Sequence, residues 1–240
     1  MSGMKSPAMR KKRDVPGPKP KPKPTDKDPQ KRPPRPVRVA RTLPFEDYVT
    51  TLFDHHVDIL ARTIFLDSIH VDSDGGDSGT DSSMHDLCAK ALTLLEQQDS
   101  KKLIKIVSAN FGGIFDYGIG IYDRIKLSPC PTLIQGYGPI MSMGSVIFQA
   151  GDRREIAPNA IMMLHYLRGS YDMHDAVGDT SVAEHNRANE LVLDLYCERI
   201  RSAGKEVDRA KLNQQMKDTL YLTATQAIDM GLADGLITRP

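Results

Sequence analysis

A serine at residue 142 and a histidine at residue 165 have the side chains that acyl transfer needs. One is a hydroxyl to attack a carbonyl, the other an imidazole to take and return its proton. Ser142 stands in "GPIMSMGSVIFQAG", after a Gly138–Pro139 break and at the mouth of an apolar run. That is a strand-to-helix turn, where a hydroxyl is exposed and the helix N-terminus adds positive potential. The backbone N–H of Met143 points into the same region. "FGG", Phe111–Gly113, reads as a second strand-to-helix turn one unit earlier. Its glycines let a backbone N–H approach a substrate with no Cβ in the way. Gly113 and Met143 can therefore form the two halves of an oxyanion hole. His165 lies near the end of "AIMMLHY" and fills a core poorly unless it has a partner. Each residue also has a plainer meaning: Ser142 as a helix cap, the glycines as a tight turn, His165 as a satisfied core histidine.

These residues need a frame that brings strand ends together. "DYVTTLFDHHVDIL" spaces Val49, Leu52, Phe53, Val57 and Leu60 like one helix face. "RTIFLDS", "KKLIKIVSA", "PTLIQGYG" and "NAIMMLHYL" read as strands. "MHDLCAKALTLLEQQ" reads as a helix with Leu87, Ala91, Leu94 and Leu95 on one side. "FGGIFDYGIGIYDRIKL" becomes a helix through Phe115, Ile119, Tyr122 and Ile125, and Met141–Ala150 is expected to be another. "DTSVAEHNRANELVLDLYCERIRSAG" is a long helix ended by Gly204. "LTATQAIDMGLAD" carries a capping box, Thr223 with Gln226, and ends at Gly231. Strands alternating with helices predict a parallel-type α/β core.

Composition limits the remaining options. Of 240 residues, 40% are hydrophobic and 26% charged, which fits one soluble domain plus extras. No apolar run approaches the roughly 18 residues that span a bilayer, and the basic start leads to prolines rather than a signal core. No membrane association and a cytoplasmic location are expected. Cys88, Cys130 and Cys197 form no C-x-x-C pair and read as buried thiols. Residues 1–41 carry 14 Lys/Arg against 3 Asp, a net +11, so the rest carries about −10 of the total of +1. Ten of the 16 prolines also lie there. The segment reads as a disordered, extended Pro/Lys-rich tail, either solubilising or able to contact nucleic acid, an acidic partner surface or the protein's own acidic body. Residues 42–240 form the folded domain. In "HVDSDGGDSGTDSS" Asp72, Asp74 and Asp77 hint at calcium, but Ser83 stands where such a loop needs glutamate. It reads as a flexible acidic loop, and neither a metal nor a cofactor is expected.

From Ala61 onward the chain resembles the Clp protease proteolytic subunit (ClpP) family of the crotonase-like superfamily. "ARTIFL" is similar to its early strand, "NFGGIFDYGIGIYDRI" to its S-P-G-G turn and I-Y-D helix, and "GPIMSMGSVIFQAG" to its A-S-M-G nucleophile segment. "APNAIMMLHYLRG" resembles its P-N-x-x-x-M-x-H strand and "YLTATQAIDMGLADGLI" its C-terminal ending. About three quarters of the chain is covered, with the motifs in order.

The resemblance implies a repeated ββα spiral with a long handle helix near Thr180–Ser202. It implies a serine endopeptidase that cleaves unfolded polypeptides with Ser142 as nucleophile and His165 as base. The N–H groups of Gly113 and Met143 would be the oxyanion donors. It further implies assembly into a homo-oligomeric ring, typically heptameric and stacked as a tetradecamer, and a separate AAA+ unfoldase. No G-x-x-x-x-G-K-[ST] stands here, so ATP would be used by that partner.

The family's triad aspartate falls at Thr219, and the neighbouring Asp218 is expected to serve through a one-residue shift. Phe111 replaces the family's proline, and the arginine of its ring contacts is absent from "KDTLY". Two other readings stand beside the peptidase: a catalytically weak structural ring subunit, and a crotonase-like acyl-CoA enzyme.

Overall fold

The computed structural model describes residues 45–67, 79–167 and 177–239. The basic tail at 1–41 and most of the acidic loop, 70–78, lie outside the described residues. The elements run α1 (Phe45–His55), β1 (Val57–Asp58), β2 (Thr63–Asp67), α2 (Ser82–Gln98), β3 (Ile104–Asn110), α3 (Phe115–Lys126), β4 (Thr132–Met141) and α4 (Met143–Phe148). β5 (Arg153–Ile156), β6 (Ile161–Leu164), α5 (Val177–Ser202), α6 (Arg209–Lys217), β7 (Leu220–Thr223), α7 (Ala224–Asp229) and β8 (Gly235–Leu236) follow. This is a mixed α/β fold. Strands β2, β3, β4, β5 and β8 pair in parallel in that order, and β1 adds antiparallel at one edge.

The parallel strands are rich in Ile, and β3 buries every second residue, Ile104, Ile106, Ser108 and Asn110. Helix α2 covers them with Met84, Cys88, Ala91, Leu92 and Leu95. That face is rotated from the expected one: Leu94 is exposed and Leu87 only partly buried. Cys88 and Leu92 fill the core instead. Asp81 accepts a hydrogen bond from Met84 N at 2.9 Å and caps this helix, so the end of the acidic stretch belongs to it.

Helix α1 stops at His55, five residues short of the sequence expectation. His56 takes φ 50°, and Val57–Asp58 turns back to pair with Ile64 and Thr63. Asp58 Oδ1 accepts from Ala61 N at 2.7 Å and closes that turn, leaving Leu60 exposed.

The main departure concerns β4. Gly138–Pro139 does not end it. Gly138 at φ 59° and a register break against β3 let the strand change partner midway. Residues 133–136 pair with β5, and Pro139, Ile140 and Met141 pair with Ile161, Met162 and Met163 of β6. A proline lacks the N–H that an unbroken central ladder would need. It sits where one ladder gives way to another. Strand β6 then pairs antiparallel with β7. The C-terminal ends of β3, β4 and β6 thus converge on one edge of the sheet.

Cys88, Cys130 and Cys197 are free and buried. Burial pushes the Cys88 thiol up to about 12, which leaves it inert. Among the described residues no helix is long and apolar enough to cross a membrane. No group of three or more His, Cys, Asp or Glu is placed to hold a metal ion there.

Candidate active site

Ser142 follows the last residue of β4 and precedes α4. Its backbone adopts φ 52° and ψ −127°, which is costly for a residue with a Cβ. It occupies the N-cap position, yet its side chain makes no capping bond. The Oγ instead lies 2.8 Å from His165 Nε2. The plainer reading of Ser142 as a helix cap does not describe this geometry.

His165 follows β6 directly, and the next two residues fix the chain there. Tyr166 N donates to Met216 O at 3.3 Å, and the Tyr166 hydroxyl donates to Asn213 Oδ1, both on α6. Leu167 N donates to Asn189 Oδ1 of α5 at 2.8 Å. The imidazole Nδ1 is buried on the opposite side of the ring from Ser142.

The glycine turn packs against the serine. A Cβ added at Gly112 would lie 2.4 Å from Ser142 Cβ and 2.9 Å from its Oγ. One added at Gly113 would lie 2.4 Å from Thr80 O. Their φ values, 110° and 149°, also disfavour any residue with a side chain. The turn is fastened from below by Asn110, fully buried at the end of β3. Asn110 Oδ1 accepts from Gly112 N at 2.7 Å, and its Nδ2 donates to Thr80 Oγ1 at 3.0 Å. Thr80 N in turn donates to Gly112 O at 2.6 Å. Met143 opens α4, so its N–H belongs to the first turn, which helix geometry leaves without an intrahelical acceptor.

A cleft of about 790 Å³ opens over Ser142, His165 and Gly113. Ile114, Phe115, Leu167 and Ala188 give it apolar walls, and the first turns of α5 close one side. Glu184 on that side pairs with Arg187 at 2.6 Å, and the guanidinium's hydrogen bonds hold its carboxyl below the usual carboxylate range.

Asp218 is placed elsewhere. It ends α6, and its Oδ2 accepts from Gln214 Nε2 at 3.1 Å on the exposed side of that helix. The antiparallel ladder of β6 and β7 ends where Leu164 pairs with Leu220, so His165 and Thr219 are the residues that flank its end. Thr219 adopts φ 70°, so the chain turns sharply there.

The structure therefore brings Ser142, His165 and the Gly112–Gly113 turn together and sends the Asp218 carboxylate to Gln214. Sequence reading missed Asn110, Thr80 and the α5 wall. A buried amide two residues before a double glycine is a usable signal for the first; the other two come from distant segments.

A sequence model of the Clp protease family matches residues 64–240. Three similar relatives carry the name ATP-dependent Clp protease proteolytic subunit 1. The one from Leifsonia xyli subsp. xyli is 30% identical over 166 residues, covering 66% of this chain and 79% of its own. The one from Corynebacterium jeikeium is 28% identical over 171 residues, 68% of this chain and 85% of the relative. The one from Mycobacterium leprae is 27% identical over 166 residues, 68% and 80% respectively. With the match spanning every strand from β2 to β8, the chain belongs to the Clp protease family.

Proposed function

We infer that this chain works as a serine endopeptidase, a proteolytic subunit of the Clp type, with Ser142 as its nucleophile. The observation that carries the residue assignment is the 2.8 Å contact between Ser142 Oγ and His165 Nε2 at a strained strand-to-helix turn. His165 Nε2 takes the hydroxyl proton as Oγ attacks the peptide carbonyl. The N–H groups of Met143 and Gly113 receive the oxyanion. His165 then protonates the leaving amine, and water releases the acyl group by the reverse transfer. Nothing in this sequence of steps calls for a metal or a cofactor.

The cleft walls of Ile114, Phe115, Leu167 and Ala188 suit an apolar side chain of an unfolded polypeptide. We read the α/β body as the family's ββα spiral and α5 as the handle through which copies join into a stacked heptameric ring. A separate AAA+ unfoldase would feed that ring in the cytoplasm, and the basic tail would lie on an acidic surface. For the orienting acid, Thr219 flanks the end of the β6–β7 ladder beside His165, while Asp218 would have to leave Gln214 to take part. That arrangement rests the reading on Ser142 and His165. It also supports the second reading, a slow subunit whose main task is to complete a ring.

Cleavage of a short fluorogenic peptide by the parent and by Ser142→Ala, at matched concentration and with melting curves for both, tests the assignment. Hydrolysis in the parent and none in an equally stable Ser142→Ala supports it. Equal hydrolysis by both would make Ser142 a structural residue only.

A further inference from the structure

Three residues after the nucleophile stands Ser145, fully buried in α4. Its Oγ lies 2.7 Å from the carbonyl oxygen of Ser142, 3.1 Å from that of Met163 and 2.6 Å from the hydroxyl of Tyr196. Tyr196 comes from the C-terminal half of α5 and is 1% exposed. The direction of these bonds follows from counting protons. Both carbonyls can only accept, and Ser145 has one proton to give. If Ser145 gave it to Tyr196, its lone pairs would face two carbonyl oxygens at close range. The hydroxyl therefore donates to the carbonyl side, and Tyr196 donates to Ser145.

The two carbonyls are not arbitrary. One belongs to Ser142 itself. The other accepts the Ser142 N–H at 2.8 Å. The Ser145 hydroxyl thus reaches the acceptors at both ends of the nucleophile's backbone, in the stretch held at φ 52°. A strained residue persists only where its surroundings over-determine it. An ordinary helix serine making such a back-bond gives way to alanine with little effect, since alanine is the better helix former.

We propose that Ser145 is a positioning residue, braced by Tyr196 from α5, that holds the Ser142 backbone so that Oγ points at His165. This rests on the reading of Ser142 as nucleophile. Helix α5 then serves the site twice, as the cleft wall near Ala188 and as the brace about two turns further along.

The test uses the full chain and three variants, Ser145→Ala, Tyr196→Phe and the double variant. For each, the thermal midpoint is measured, together with kcat and KM on a fluorogenic peptide and the rate at which a fluorophosphonate labels Ser142. Ser145→Ala should lower kcat and the labelling rate by about 10- to 100-fold, the scale set by small misplacements of reacting groups, with KM changed less than about twofold. Tyr196→Phe should do the same more weakly. The double variant leaves no buried hydroxyl unpaired, so it should regain thermal stability lost in Ser145→Ala while its rates stay low. Rates that recover together with stability in the double variant would reduce Ser145 to a core contact. Parent-like labelling of Ser145→Ala would overturn the proposal with the nucleophile assignment intact. A parent whose Ser142 takes no label would overturn both.

Discussion

Ser142 Oγ and His165 Nε2 lie 2.8 Å apart because the strands that carry them run side by side, with Met141 paired to Met163. Both residues leave their strands at the same edge of the sheet. Twenty-three positions of chain separate them. That interval holds α4, β5 and the return into β6. The switch of β4 from β5 to β6 at Gly138–Pro139 makes the pairing possible. Peptidase geometry here is therefore a consequence of strand order, and it can be disturbed at predictable places.

Gly112→Ala should inactivate the site. The new methyl would sit 2.4 Å from Ser142 Cβ, so the serine or the turn must move. A displacement of that kind costs on the order of 100-fold in turnover. Gly138→Ala is the control: it also has positive φ, 59°, but its added Cβ meets nothing within 4 Å. It should cost about 1 kcal/mol of stability and leave hydrolysis nearly intact. Peptide cleavage and melting of both variants check the contrast.

Thr219→Asp should raise kcat. Thr219 and His165 flank the end of the β6–β7 ladder at the Leu164–Leu220 pair, and a carboxylate there would stabilise the imidazolium formed during attack. Aspartate also tolerates the φ of 70° better than a β-branched threonine. Asp218→Asn, whose side chain bonds Gln214, should change turnover by less than about threefold, far below the roughly 10⁴-fold typical of losing a triad acid. A severe loss in Asp218→Asn, with no gain in Thr219→Asp, would show that Asp218 leaves Gln214 to serve the base.

Acid should loosen the seam between α2 and α3. Arg124 donates two hydrogen bonds to Glu96, at 2.7 and 2.9 Å, and holds its carboxyl below the usual carboxylate range; burial opposes this and a 2.7 Å bond from Ser128 Oγ adds to it. A carboxyl with a lowered folded-state pKa contributes stability above its unfolded pKa, about 4.3. That contribution disappears as pH falls through the folded value. Glu96→Gln should therefore cost about 1 kcal/mol at pH 7, and its melting curve should approach the parent's below about pH 4. A constant gap from pH 7 to pH 3 would contradict the ion-pair account.

Much of this was legible in the residues. The parallel strands announced themselves by Ile, the α7 cap by Thr223 and Gln226, whose two-way bonding is present, and the long helix by Gly204 at φ 73°. Ser142, His165 and the double glycine stood out by type and spacing. Helix α6 did not, because it buries only Leu212 and Met216 and otherwise reads as polar. Strand β5 was hidden because its buried Arg154 reads as surface. In the fold that guanidinium bonds Asp234, Gln149 and the Gly231 carbonyl, a set drawn from across the chain. The Ser145–Tyr196 contact was invisible for the same reason, and the position of Asp218 depended on a helix end that no local pattern marked.

The central claim is that Ser142 is a nucleophile activated by His165. Treating the full chain with a fluorophosphonate and mapping the adduct by mass spectrometry tests it most directly. The account predicts one adduct per chain, on Ser142, formed at least about 100-fold more slowly in His165→Ala, as expected when a general base is removed. An unlabelled chain, an adduct on another serine, or equal labelling of Ser142 in His165→Ala would contradict it.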